Sequence, residues 1–363
     1  MSQQAPFPWP AQSATGVGSM PGTDPQEASA VIFGEVPNLP FLAELPNRGP
    51  GADLVGRTAA LLVDMPVETT PTGWRLAERR GRDLGRAAGL MEADLDALEA
   101  AAAGYAGAFK IQLCGPWTLA ASLALSHSIE PALSDEGAVA DLAASLAEGA
   151  AAHAADVRRR VPGARLVVQV DEPALPGVLA GSVPTASGLR RVPAVDAHDA
   201  SGRLREVVAA AGAPVIIHCC ARDVPWSLIA SAGVTAVSFD LALVGRADED
   251  ALGEIAEAGL GIAAGAVPPV ADDAPRAPAS PADDRRRPSG AAARLGPGAE
   301  RAAAAVIALW RRIGLSPGAV AEQVVITPAC GLAGVSPARA GAVLTQCQEA
   351  ARLLPEMIEE GVR

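Results

Sequence analysis

The chain has 363 residues, half of them hydrophobic but only 3% aromatic, so it can bury a large core and must build it from Ala, Val, Leu and Ile. Its 29 Lys and Arg against 41 Asp and Glu leave a formal charge of −12, and without an aromatic-studded basic face this excludes nucleic acid as a partner. No apolar run reaches the ~18 residues of a membrane span, and residues 1–6 lack a basic and then apolar leader, so we expect no membrane association and a cytoplasmic protein whose five cysteines stay reduced.

Residues 1–12, with Pro6, Pro8 and Pro10, read as a flexible tail. Strand-like runs then follow at 14–20, 39–45, 109–113, 166–170, 215–217, 236–239, 261–267 and 324–327, the second being the least regular. Long Ala/Leu-rich stretches separate most of them. One runs from an N-cap at Ser134, followed by Asp135 and Glu136, to Arg158-Arg159-Arg160 and the stop Pro162-Gly163. Strands alternating with helices predict a parallel sheet, and eight of them predict closure into a (β/α)₈ TIM barrel forming one domain over 13–363. No Rossmann or P-loop glycine fingerprint follows any strand. Residues 268–298, rich in Pro, Asp and Arg and poor in large apolar side chains, read as a disordered insertion after the seventh strand, with a lid over the site as the alternative.

The strand ends carry the chemistry. His218-Cys219-Cys220 closes the fifth run and Cys330 follows the eighth. Alternation puts His218 and Cys220 on one face and turns Cys219 away. Three soft ligands from distant segments, with no C-x-x-C knuckle, point to a catalytic zinc with an open position. Cys114 and Cys347 read as small core hydrophobes. The Gly16-Val17-Gly18-Ser19-Met20-Pro21 turn offers backbone N–H groups and a hydroxyl to a small carboxylate. Glu44 ends the second run and Asp171-Glu172 the fourth; Glu44 and Asp171 could hold an ammonium, or Asp171 or Glu172 could cap the turn that follows them.

Gly18-Ser19 with its following Pro, Asp171-Glu172-Pro173-Ala174-Leu175, His218-x-Cys220 and Cys330-Gly331-Leu332 occur in an order that resembles cobalamin-independent methionine synthase, in its C-terminal catalytic zinc barrel. The resemblance implies a (β/α)₈ barrel that methylates the thiol of homocysteine on Zn²⁺. It places metal ligands at His218, Cys220, Cys330 and, as an acidic ligand able to leave as substrate sulfur enters, Asp240. It places homocysteine contacts at Gly18, Ser19, Glu44 and Asp171.

Three departures qualify what the resemblance implies. The other half of the two-barrel enzyme is missing, so the chain resembles the short single-barrel members. Asp240 stands where the longer enzymes carry Glu. The segment Gly261-Ile262-Ala263-Ala264-Gly265-Ala266-Val267-Pro268 offers no histidine to protonate a departing folate. The methyl donor is therefore methylcobalamin or a corrinoid protein, or else methyltetrahydrofolate, and no residue is assigned to it. Two other readings stay open at this level: a uroporphyrinogen-decarboxylase-like barrel or corrinoid-dependent methylase of another thiol, and a non-catalytic protein that binds zinc or homocysteine.

Overall fold

Short β-branched runs bounded by Pro and Gly set the architecture. The computed structural model describes residues 7–270 and 297–361. A small antiparallel hairpin, β1 (Val67–Thr70) and β2 (Gly73–Leu76), precedes a curled six-stranded parallel sheet: β3 (Ala108–Cys114), β4 (Arg165–Asp171), β5 (Val215–His218), β6 (Ala236–Asp240), β7 (Gly261–Val267) and β8 (Val324–Pro328), paired in that order. Every residue of β3 and β8 is buried, as expected of parallel strands covered on both faces. The hairpin escaped the sequence reading, although Val67-Glu68-Thr69-Thr70 and the Pro71-Thr72 turn before Gly73 carry its signal.

The first two predicted strands do not form ladders. Run 14–20 meets β8 at a single bridge, Ala14 with Ile326, and run 39–45 meets β3 at another, Phe41 with Lys110. Between the two runs, Ser19 bridges Glu44, and Met20 N donates to Glu44 O at 2.8 Å. The regular sheet therefore has six strands where eight were expected. Pro40 has no N–H to donate and Gly16 and Gly18 interrupt the other run, which limits pairing to isolated points.

Within the stretch expected to be a tail, Phe7 stacks on Trp9 and Trp9 is buried, while Pro10 and Ala11 are exposed; residues 1–6 lie outside the described ones. Trp9 is 2% exposed and sits against Leu39, Ala108, Val167, Ile216, Ala236, Ala263 and Val325, a floor across the N-terminal ends of the strands. Small side chains make room for it. A Cβ on Gly261 would come 2.6 Å from the Trp9 ring.

Helix Glu136–Arg160 is capped by Asp135, whose side chain accepts from Ala138 N at 2.9 Å. Ser134 lies one residue too early, in the 3-10 turn Ala132–Ser134. At the other end Arg160 pairs with Glu92 and Asp96 of helix Arg82–Ala101. Most of the expected insertion, 271–296, lies outside the described residues, and chain resumes in helix Pro297–Arg312. Among the described residues no helix is long and apolar enough to cross a membrane.

Candidate active site

A cavity of about 480 Å³ is lined by Gly18, Ser19, Glu44, Asp171, His218, Cys220 and Cys330. Strand register assembles much of it: Asp171 of β4 pairs with His218 of β5, and His218 with Ser238 of β6. The Gly18-Ser19 turn is held from two sides, since Glu44 N donates to Gly18 O at 3.1 Å and Leu332 N donates to Ser19 O at 2.8 Å. Gly331 is required here because a Cβ would stand 2.1 Å from the Ser19 hydroxyl.

One side of the cavity is soft. His218 is 3% exposed and its Nδ1 lies 2.9 Å from Ser238 Oγ, which leaves Nε2 for another partner. Burial, helped by the Lys110 charge, pushes the imidazole down to about 3, so it is neutral as a metal ligand must be. The Cys220 and Cys330 thiols face each other, and the hydrogen bond between them draws Cys330 down to about 6 while pushing Cys220 up. Cys219 is fully buried and does not line the cavity.

The donor set fits zinc in kind: neutral imidazole plus two thiols, one already acidic. It is not closed as it stands. Among the described residues no three His, Cys, Asp or Glu side chains are set closely enough to hold an ion. Asp240 does not line this cavity, and its carboxylate accepts from Ala242 N at 2.9 Å, capping the turn Leu241–Leu243, although its charge is near enough to act on Cys330.

Beside it the lining is acidic. Glu44 and Asp171 are each 4% exposed. Burial raises both carboxyls; for Asp171 the neighbouring Glu44 adds to it and Lys110 opposes it, leaving it at about 8. Glu44 Oε1 has no hydrogen-bond partner and lies 3.8 Å from Arg57 Nε, itself unpartnered. Arg57 is held by Ala43 O at 3.1 Å and by Asp94 at 3.4 Å, and Asp94 also receives Arg48 at 2.6 Å.

Several polar residues beneath this wall were missed from sequence. Lys110 is fully buried; its Nζ donates to Gln169 Oε1 at 2.8 Å and to Val17 O at 3.0 Å. Gln169 Nε2 in turn donates to Asp171 Oδ1 at 2.6 Å. The available signal was Lys110 with Gln112, and Gln169 with Asp171, each pair two residues apart in an otherwise apolar strand. Glu172, by contrast, points away to cap helix Pro116–Ser122, accepting from Trp117 N at 2.9 Å and from Thr118 N and Oγ1 at 2.8 and 2.7 Å. Its capping role was one of the alternatives, although the helix it caps precedes it in sequence by more than fifty residues.

A second cavity, about 440 Å³, lies where β7 ends and is lined by Gly265, Ala266, Pro268, Asp240 and Arg312 among others, with no histidine.

No curated protein matches the sequence. Among solved structures, a B12-independent methionine synthase from Shewanella sp. W3-18-1, in complex with selenomethionine, superposes with a TM-score of 0.60 at 11% identity, covering 96% of this chain and 99% of that one. At that identity the likeness shows the fold. The family model for the cobalamin-independent synthase catalytic domain matches residues 12–353, nearly the whole chain, and the chain belongs to that family.

Proposed function

We infer that this enzyme transfers a methyl group to the thiol of homocysteine, giving methionine. One observation carries the reading: a single cavity brings two buried carboxylates together with an imidazole and two thiols. Homocysteine has the matching ends, an ammonium and a thiol, and few other small metabolites do.

Glu44 and Asp171, which both line the cavity, receive the ammonium. The Gly18-Ser19 turn faces the substrate carboxylate with backbone N–H groups and a hydroxyl. His218, Cys220 and Cys330 hold zinc, and Ser238 keeps Nε2 of His218 turned to it. Asp240, whose carboxylate caps the Leu241–Leu243 turn through one hydrogen bond, would be the fourth, acidic ligand. When bound, zinc supplies the Lewis acidity that keeps a thiol deprotonated near neutral pH. The protein's part is alignment: with the ammonium and the sulfur each held at a fixed place, the thiol is aimed along one line.

We read the runs 14–20 and 39–45 as the first two staves of a (β/α)₈ barrel, one catalytic unit over 13–363 with 268–298 as an insertion. The single bridges to β8 and β3 support that closure. Five free thiols fit a cytoplasmic enzyme. The donor enters beside β7, and methylcobalamin or a corrinoid protein fits better than methyltetrahydrofolate: cobalt keeps the bond electrons and needs no proton, whereas a departing folate amine does. The deciding experiment is methionine formation by the zinc-loaded enzyme from homocysteine with each donor. Failure with both would remove the reading.

A further inference from the structure

Lys110 is the one lysine in the entire chain, and it is buried directly beneath the acidic wall. Its ammonium donates to Gln169 Oε1 at 2.8 Å and to Val17 O at 3.0 Å, with Gln112 Oε1 at 3.4 Å. A glutamine amide has one acceptor end and one donor end. Because the Gln169 oxygen is claimed by a cation, its Nε2 must face the other way, where it donates to Asp171 Oδ1 at 2.6 Å and to Val17 O at 2.8 Å. The reversed amide would set its oxygen against the Asp171 carboxylate and the Val17 carbonyl, acceptor against acceptor, and its NH₂ against an ammonium.

The arrangement reaches both ends of an amino acid. Asp171 is on the acidic wall, and Val17 leads directly into the Gly18-Ser19 turn. Gln112 forms a second arm: its Nε2 donates to Leu42 O at 2.6 Å, two residues before Glu44, and its side chain stabilises the Glu44 carboxylate. Gly18 is also locked against it, since a Cβ there would lie 2.9 Å from Gln112 Cγ. Burying a cation is costly unless hydrogen bonds offset the lost hydration, and here three oxygens do so and fix where the ammonium sits.

We propose that Lys110 is a positioning residue that, through Gln169, fixes the Asp171 carboxylate and the Val17-Gly18-Ser19 turn together, and so makes the cavity selective for thiols that carry an α-ammonium. The proposal rests on the assignment of Asp171 and Glu44 to the ammonium. Lys110 does not touch the substrate. It sets the direction of the groups that do.

The test compares homocysteine with 4-mercaptobutyrate, which has the same thiol chain and carboxylate but no ammonium, by calorimetric binding to zinc-loaded protein. The parent should prefer homocysteine. Lys110→Met and Gln169→Met should each lose at least roughly tenfold of that preference, the scale of one hydrogen bond to a charged group, at unchanged zinc content. Unchanged preference in the folded variants overturns the proposal. Should Lys110→Met not fold, Gln169→Met decides alone, because it keeps the lysine and its bond to Val17. A parent without preference would instead overturn the ammonium assignment itself, an outcome visible before any variant is made.

Discussion

Asp171 and His218 are register partners on adjacent parallel strands, and both side chains enter one cavity. Neighbouring strands stand about 5 Å apart, so the carboxylate and the imidazole are spaced by backbone hydrogen bonds and not by a loop. A site that must hold two ends of one small molecule gains from that rigidity.

Purified protein should carry about one zinc per chain, held by His218, Cys220 and Cys330. Cys330→Ser should lose most of the metal, whereas Cys219→Ala, a change in a fully buried side chain outside the cavity, should keep it. Metal analysis of the two variants checks this, and full retention in Cys330→Ser would remove the zinc assignment.

Asp171→Asn should weaken homocysteine binding by about 3 kcal/mol, the usual scale for leaving a buried charge without its partner, with zinc content unchanged. Titration calorimetry gives the number. Equal affinity in parent and variant would show that the ammonium binds elsewhere.

Burial and the Glu44 charge raise Asp171 to about 8, so below that pH the free enzyme holds a proton on the acidic wall. An ammonium ligand favours the ionised pair and displaces the proton. Affinity should therefore rise with pH up to about 8 and fall once the ligand's own ammonium loses its proton. Methionine is the suitable ligand, having no thiol proton of its own. A flat profile, or a slope that survives in Asp171→Asn, would contradict the assignment.

Single-turnover methyl transfer should be faster from methylcobalamin than from methyltetrahydrofolate at equal occupancy. The β7 end presents Gly265, Ala266 and Pro268, and of the four histidines only His218 lines the active-site cavity. Glu172, which could have served as an alternative acid, is occupied by three donors in its capping role. Faster transfer from the folate would reverse this conclusion.

Trp9→Ala should destabilise the fold by about 3–5 kcal/mol, as large-to-small changes in packed cores do, and leave zinc binding intact because the floor lies at the opposite end of the strands from the site. Denaturant unfolding measures it. A change of less than 1 kcal/mol, roughly the scale of a surface substitution, would mean that Trp9 is not part of the core.

The strand ends and the residues on them were legible from local pattern alone. Where a short apolar run stops, and which side chains share a face beyond it, follow from local alternation, so His218, Cys220, Cys330 and Asp171 were legible and all reach one cavity. Glu44 and the Gly18-Ser19 turn were legible too, as the ends of runs whose pairing is sparse. Tertiary structure decided what depends on partners far along the chain. Asp240 was placed correctly at the end of β6, yet its carboxylate turns to the backbone at Ala242, a rotamer choice that periodicity does not encode. Trp9 looked like part of a tail because its apolar partners come from seven segments spread over three hundred residues. Lys110 and Gln169 lie 59 residues apart, and their meaning appears only when parallel register brings the two strands side by side.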